Sequence, residues 1–449
     1  MSTAEEDLAN YSLLDALRGR RSRRFAVGMK SDSGPMPFDS AHPPMPLTEE
    51  EEALLVFAAC GITGHALGDL VYAKGQGGNI LGGLVGRTAA SGDCVQAVAL
   101  IVSNDEATYV IKRPQDLTTD EIQELIELVA QGNLTEFYTR ARVKIKDGRS
   151  APPVEPMFNI NCNRWSVYQP GTTYFLPVND LTFIYINGLL SILSPETGAY
   201  VLDERRGFCS AGLDRFARSK GGHLNDDPAG NDIVTIERME LGVAELATVE
   251  QGMIQQNLAL TAHAMGLGGF PNFAAHEFGW FQALDFKTGQ MSSSHYFGKG
   301  PVFEVAAKLL KRDLPVSFPL ALEINGEPLL RAFCQPCYPT MRDAVMAVVE
   351  RKFGPEGAFR GGATAGEWLD SKPISAATPD MEEETIEATI AYCEYVYQTY
   401  GRFPGFIAPF RTVIGFQAAH LELDFYDRYY KPEALSSTHR EHMARWHSQ

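Results

Sequence analysis

The feature that most constrains the fold is a long helical pattern that ends at a pair of glycines. In ELATVEQGMIQQNLALTAHAMGLG, residues 245–268, apolar side chains recur at helical spacing from Met253 to Met265. Gly266 and Gly268 then end the helix, since glycine favours the position that follows a helix. A strand that contains Pro271 comes next. Alone, this segment fits a buried helix of any protein that mixes helices and strands.

Local signals predict further elements. Thr48 followed by Glu51 is a capping box and predicts a helix over 48–60. Apolar runs on both sides of Asn104-Asp105 predict a hairpin, and Asn325-Gly326 predicts a type I′ turn between two strands. Helical patterns also cover residues 4–19, 119–133 and about 380–400, and residues 71–92 are glycine-dense and predict a loop.

Composition narrows the class of protein. The chain has 449 residues, 45% of them apolar, and a formal charge of −17, which argues against a broad nucleic-acid surface. Its longest apolar stretch, residues 181–193, is too short to span a bilayer, and the polar, acidic start differs from a secretory signal. Seven scattered cysteines predict no disulfide framework. We therefore expect a cytoplasmic protein that binds neither membrane nor nucleic acid.

One basic run stands out against this acidic background. The segment LRGRRSRRF, residues 17–25, holds five arginines and one serine. Net charge and the acidic start argue against a nucleic-acid patch and a targeting signal. Two interpretations remain: a solvated helix end, where cations are mildly favourable, or a pocket for one phosphate, whose oxygens match the guanidinium fork.

A third segment concerns a loop. In GRTAASGDCVQAVALIV, residues 86–102, Ser91 and Gly92 come shortly before an apolar run. Small residues at such a position let a flat ligand approach the backbone closely.

These three segments, in this order, resemble the nitroreductase-like family of FMN-dependent oxidoreductases, in particular its azoline-oxidising dehydrogenase branch. The resemblance implies that Arg20, Arg21, Ser22 and Arg24 bind the phosphate and ribityl chain of FMN. It also implies that a loop contacts the flavin ring. The matching loop residues are Ala90, Ser91 and Gly92, with Ala90 where the family usually has proline.

The resemblance extends to the end of the long helix. Gln256-Asn257-Leu258 and Gly266-Leu267-Gly268 match the family pattern, which leads into a strand whose backbone N–H faces flavin N5. The matching strand residues are Gly269, Phe270, Pro271 and Asn272.

The implied fold is α+β, with a central, mostly antiparallel sheet flanked by helices, large insertions and a C-terminal extension. We expect an FMN-binding part over 1–290, with an insertion at about 105–240. Residues 291–449 would complete the fold and add a helical extension.

The implied chemistry is hydride transfer through flavin N5 to or from a small organic substrate, with NAD(P)H as a candidate donor. The flavin performs the redox step, so no catalytic side chain is assigned. The family places its flavin between two copies of the chain, which predicts a homodimer. The alternative is a non-catalytic homologue that binds flavin or another ligand, or serves as the partner subunit of a biosynthetic complex.

The remaining motifs predict less. The family often completes its phosphate site with a C-terminal basic residue; Lys299, Lys308, Arg312 and Arg360 are candidates that spacing does not separate. The polar, turn-rich residues 203–231 predict a mobile flap or lid.

No metal site is predicted. Cys334 and Cys337 have CxxC spacing, but no second pair accompanies them, and they are interpreted as ordinary thiols. His439, His442 and His447 lie in a charged tail and are interpreted as surface histidines.

Overall fold

A computed structural model of the chain describes residues 3–67, 85–92, 96–155, 158, 160–358, 360 and 366–446. The predicted loop over 71–92 lies mostly outside them. The helices are α1 Thr3–Asn10, α2 Leu13–Gly19, α3 Glu49–Cys60, α4 Thr119–Ala130, α5 Leu134–Ala141, α6 Leu181–Ile192, α7 Ile236–Ala264, α8 Glu277–Ala283, α9 Ser293–Tyr296, α10 Pro301–Leu309, α11 Met341–Phe353, α12 Ser371–Ala377, α13 Glu383–Tyr400, α14 Leu423–Tyr429 and α15 Ser437–Trp446. The strands are β1 Lys30–Ser31, β2 Phe38–Asp39, β3 Ile62–His65, β4 Val85–Arg87, β5 Val98–Ser103, β6 Ala107–Ile111, β7 Arg142–Asp147, β8 Thr173–Asp180, β9 Tyr200–Asp203, β10 Cys209–Ser210, β11 Ile233–Thr235, β12 Gly268–Asn272, β13 Lys287–Ser292, β14 Pro315–Ile324, β15 Glu327–Arg331, β16 Phe410–Arg411 and β17 Gly415–Ala419.

A central sheet organises the fold. Its strand order is β12-β17-β8-β5-β6-β7, with β16 beside β8, and each of its described ladders is antiparallel. The expectation of an α+β fold with a central antiparallel sheet is therefore confirmed. Because β17 lies between β12 and β8, the C-terminal part of the chain completes the sheet.

Both faces of the sheet are covered. Alternate residues of a strand point to opposite faces. On β5, Leu100 and Val102 pack in a core with residues of α3 and α7, whereas Ile101 packs in a core with residues of α6 and α13. This explains why β5 is apolar along its whole length rather than alternating.

The long helix α7 is tied to the sheet by polar side chains as well. Gln251 Nε2 donates to the Pro177 carbonyl at 3.1 Å, and Gln255 Nε2 donates to the Ile414 carbonyl at 2.9 Å. These bonds fix α7 across several strands, and its C-terminal end leads directly into the edge strand β12.

Three local predictions are confirmed. Thr48 and Glu51 form the capping box at the start of α3. The hairpin around Asn104-Asp105 is β5–β6. Asn325 and Gly326 both have positive φ, 52° and 85°, as a type I′ turn between β14 and β15 requires.

The prediction of one helix over residues 4–19 is wrong. The chain forms α1 and α2 because the Ser12 side chain caps a new helix, accepting a hydrogen bond from the Asp15 N–H at 3.3 Å. Leu14 and Leu17 on α2 are each 52% exposed, so the apolar face predicted for this helix is not buried within one chain.

The stretch 105–240 is part of the central architecture. It supplies β6, β7 and β8 to the central sheet, and the segment 203–231 buries Leu213 and Leu224 in the core. The division into two parts and the mobility of 203–231 stay predictions. Among the described residues, no helix combines the length and the apolarity needed to cross a membrane.

Candidate functional site

The arginine segment begins where α2 ends. Arg20, Arg21 and Ser22 follow Gly19 and are all exposed, whereas Arg23 is buried. From residue 20 to residue 24, three residues thus face solvent, Arg23 is built into the fold and Arg24 is half-buried.

Arg23 has a structural role. Its side chain is 6% exposed, and its Nε donates to the Ala434 carbonyl at 2.7 Å. Its terminal nitrogens donate to the carbonyls of Arg21 and Gly19, at 3.4 and 3.5 Å. Burial lowers the pKa of Arg23 from its usual value. These bonds hold the segment in place, since a buried charge is costly unless it is hydrogen-bonded.

The segment lies against the edge of the central sheet. Arg23 forms an antiparallel bridge with Gly269, in the edge strand β12. The Arg24 guanidinium lies 4.4 Å from the centre of the Phe270 ring and donates to Asn163 Oδ1 at 3.3 Å. The structure therefore brings together the two motifs that are 245 residues apart in the sequence, counted from Arg24 to Gly269.

The glycines of β12 serve internal packing. A Cβ at Gly268 would collide with Leu421, and one at Gly269 would collide with the Phe416 ring. Packing against Leu421 and Phe416 is therefore enough to require glycine at both positions, whether or not a ligand approaches them.

Asn272 and Pro271, also in β12, differ in exposure. Asn272 is buried; its Oδ1 accepts from the Tyr174 hydroxyl at 2.9 Å and its Nδ2 donates to the Phe270 carbonyl at 3.3 Å. Pro271 is exposed. A ligand at this edge would meet the outer backbone groups of β12 and Pro271 rather than the Asn272 side chain.

The predicted loop residues lie elsewhere. Ala90 and Gly92 are exposed, and Ser91 is engaged: its Oγ donates to Glu250 Oε2 at 2.9 Å and accepts from the Gln96 N–H at 3.0 Å. Glu250, on α7, is 1% exposed and also accepts from the Ala97 N–H at 3.1 Å. Ser91 therefore fixes the loop to α7.

The loop and the arginine segment adjoin different strands of the central sheet. The loop leads into β5, which is three strand positions from β12 in the order β12-β17-β8-β5. Strand spacing makes this about 14 Å.

The C-terminal segment completes the surroundings of the arginines. The Glu433 carbonyl accepts from Arg21 at 3.4 Å, and the Tyr426 hydroxyl accepts from the backbone N–H of Arg24 at 2.9 Å. Lys431, exposed, is two residues before Glu433. The contact between Arg21 and Glu433 was not predictable, because nothing in the sequence links these two residues.

The C-terminal basic residues named from the sequence have local partners. Lys308 pairs with Glu304 at 2.6 Å, one turn earlier on the same helix. Arg360 donates to the Ser375 carbonyl at 2.7 Å and pairs with Asp380. For Lys299 and Arg312 the structure gives no reason to assign a ligand.

The interpretation of His439 and His442 as surface residues is wrong. They are 0% and 3% exposed, because α15 packs on the bend after α7: a Cβ at Gly266 would collide with the backbone of Thr438. Burial, followed by the charges of Arg23 and His263, lowers the pKa of His439 to about 3. His447 lies outside the described residues.

The arginines act electrostatically on the end of α7. Burial, followed by the charges of Arg23 and Arg20, lowers the pKa of His263 to about 4. His263 Nε2 is 3.4 Å from the Tyr11 hydroxyl. Burial is the main cause of this shift, and the two arginine charges add to it in the same direction.

Cys334 and Cys337 are both free thiols. Burial raises the pKa of each. A raised pKa disfavours the thiolate, the reactive form of cysteine.

Comparison with known proteins does not show which family the chain belongs to. No protein-family model and no curated protein match the chain. Among solved structures, a proposed nitroreductase from Ralstonia eutropha JMP134 aligns with a TM-score of 0.29 and 11% identity, over 62% of this chain and 76% of that chain. A TM-score this low supports no inference, so the site rests on the residues described above.

Proposed function

We propose that the chain is an FMN-dependent oxidoreductase that works as a homodimer. It would transfer hydride to or from a small organic substrate, with NAD(P)H as the candidate donor. The observation that carries the proposal is the bridge between Arg23 and Gly269, which places the exposed residues Arg20, Arg21 and Ser22 beside the edge strand β12.

Arg20, Arg21 and Ser22 would hold the phosphate. Two guanidinium forks and a hydroxyl supply several donors to phosphate oxygens, and arginine stays charged at every physiological pH. Arg23 positions them, because its own donors are used on carbonyls of the same segment and of Ala434. Lys431 would add a further positive charge from the C-terminal segment.

The edge strand β12 would hold the ring. An edge strand presents backbone groups that no neighbouring strand uses, and on β12 the bridge with Arg23 occupies this side only at Gly269. Donors of this kind, aimed at the nitrogen and carbonyl edge of a flavin, stabilise the charge of its reduced form. FMN, when bound, supplies the two-electron hydride chemistry. The chain's own work is to anchor the phosphate, orient the ring and leave one ring face open to substrate.

A second copy of the chain supplies the loop at 90–92. Helix α7 carries an exposed apolar stripe, made up of Leu246, Val249 and Met253. Gly92 lies against this stripe: a Cβ added at Gly92 would lie 3.5 Å from Leu246 Cδ2. An exposed apolar stripe marks an interaction surface. Covering this stripe with a second copy would bring the loop into contact with that copy.

The free cysteines among the described residues agree with a reducing compartment, and we keep a cytoplasmic location as part of the proposal.

Flavin affinity of matched variants tests the phosphate site. The double variant Arg20→Ala/Arg21→Ala should lose FMN affinity by roughly 100-fold or more, since each charge-assisted hydrogen bond contributes roughly 1.5–3 kcal/mol. Lys431→Ala should weaken binding less, because a single exposed charge is screened by salt.

Arg18→Ala is the control, because Arg18 lies on the same helix end but is 71% exposed beside Asp15. It should bind FMN as the wild type does. Unchanged flavin retention in the double variant would refute the roles of Arg20 and Arg21.

A further inference from the structure

We propose that Glu51, His420 and His442 form a zinc site that fixes the C-terminal helix to the body of the protein. The proposal is independent of the flavin. Glu51 lies in the first turn of α3, His420 follows β17, and His442 lies on α15. Three distant parts of the chain thus meet at one point.

The donor atoms converge. His442 Nε2 is 2.8 Å and His420 Nε2 is 3.1 Å from the same carboxylate oxygen, Glu51 Oε1. The three ligand atoms lie within 4.8 Å of one another. Each residue is at most 3% exposed. Two imidazole nitrogens and one carboxylate oxygen are a ligand set that binds zinc, with one further ligand such as water completing a tetrahedron.

Outer contacts hold two of these ligands in a metal-binding orientation. His420 Nδ1 lies 3.1 Å from the Met45 carbonyl, which accepts a hydrogen bond from the Nδ1–H, so that in the neutral ring the Nε2 lone pair faces the cluster. Glu51 Oε2 accepts from the Thr48 N–H at 2.7 Å and from the Thr48 hydroxyl at 3.0 Å, so Oε1 faces the histidines. Metal-binding histidines and carboxylates characteristically carry such second partners.

The same contacts require a cation at the cluster. With its Nδ1–H hydrogen-bonded to the Met45 carbonyl, a neutral His420 directs a lone pair at the carboxylate of Glu51. Two lone pairs at this separation repel unless a proton or a metal ion lies between them. Protonated histidines or one zinc ion would satisfy these contacts, and we assign zinc because the three buried ligand atoms converge on one point.

The site has a consequence for the tail. His442 lies against the bend at Gly266, where a Cβ would contact the His442 side chain. Zinc would therefore hold α15 over the end of α7, in the part of the molecule where Arg23 contacts Ala434. A ligand that binds only the folded chain stabilises it by mass action.

Metal analysis of the full-length protein tests the proposal. Wild-type protein purified from zinc-supplemented cells should contain one zinc per chain. Glu51→Gln and His442→Ala should contain little. His42→Ala should retain it, because His42 is exposed and lies outside the cluster. Wild-type protein without zinc, or with iron in its place, overturns the assignment.

If the variants fail to fold, a measurement on the wild type alone still tests the zinc site. Dialysis against EDTA should remove the zinc and lower Tm by several degrees, and ZnSO₄ but not MgCl₂ should restore it. A zinc-free wild type whose Tm does not respond to either salt means that a proton, not a metal, bridges the cluster.

Discussion

Arg23 and Gly269 pair through their backbones on the outer side of the edge strand β12, and the Arg23 side chain is simultaneously bonded to the carbonyl of Ala434. The start of the chain, the strand after its longest helix and its C-terminal segment are therefore fixed to one another. This arrangement leaves Arg20 and Arg21 exposed beside β12, and the proposed flavin site depends on it.

Replacing Arg23 should destabilise the fold. Arg23→Ala removes the donors to Ala434, Arg21 and Gly19 and leaves their carbonyls without these partners. We expect a loss of roughly 2–3 kcal/mol in the free energy of unfolding. Urea denaturation measures it. The exposed Arg18→Ala should lose less than about 0.5 kcal/mol, as is usual for surface substitutions; equal losses in both variants would contradict the role of Arg23.

The glycines of β12 should not tolerate a methyl group. Gly268→Ala forces a contact with Leu421, and Gly269→Ala forces one with Phe416. Each should cost about 1–3 kcal/mol, the usual effect of overpacking. Gly188→Ala is the matched control, since its Cβ would meet nothing within 4 Å on helix α6. It should be neutral or stabilise by about 0.5–1 kcal/mol. A neutral Gly268→Ala would show that this packing is looser than described.

Glu240 should make stability depend on pH. Its carboxyl is fully buried and accepts from the N–H groups of Gly405, Phe406 and Ile407, and burial raises its pKa to about 7. Between pH 4.5 and 7 the folded chain keeps a proton that the unfolded chain releases, so this group's contribution to stability falls as pH rises through that window and is constant above it.

The pKa shift of Glu240 corresponds to a total change of about 3 kcal/mol in the free energy of unfolding. The difference in unfolding free energy between wild type and Glu240→Gln, measured in urea from pH 4 to pH 8, should change by this amount. The exposed Glu237→Gln should show no such change. A flat difference for Glu240→Gln would mean that folding does not raise the pKa of this carboxyl.

The apolar stripe on α7 should be needed for dimer formation. Val249→Asp/Met253→Asp places two charges on residues that are 55% and 43% exposed in the single chain. Desolvating these charges at an interface is costly, so sedimentation velocity should show a dimer for the wild type and a monomer for the variant. Leu369→Asp, fully exposed, should remain a dimer. A wild-type monomer would remove the second copy from the proposed site.

Elements set by neighbouring residues could be predicted from the sequence. The capping box of Thr48 and Glu51 and the turn at Asn325-Gly326 depend on hydrogen bonds and φ values within a few residues. The antiparallel central sheet was predicted through the family resemblance, not from strand patterns, because β5 is buried on both faces and shows no alternation.

Features set by distant contacts could not be predicted. His439 and His442 lie in a polar tail, and only their packing against the bend at Gly266 buries them. The structural role of Arg23 is equally hidden, since its main acceptor, Ala434, is 411 residues away. The sequence of the basic segment predicts a concentration of positive charge. It does not distinguish the buried arginine, Arg23, from the exposed Arg20 and Arg21.

The absorbance spectrum of the freshly purified protein is the most direct test of the proposed flavin site. We expect a yellow protein with flavin absorbance bands. Denaturation should release one FMN per chain, and this FMN should account for the bands. Adding NADH or NADPH without oxygen should bleach them. A colourless protein that takes up no added FMN would contradict the site, and would favour a non-catalytic homologue or a partner subunit.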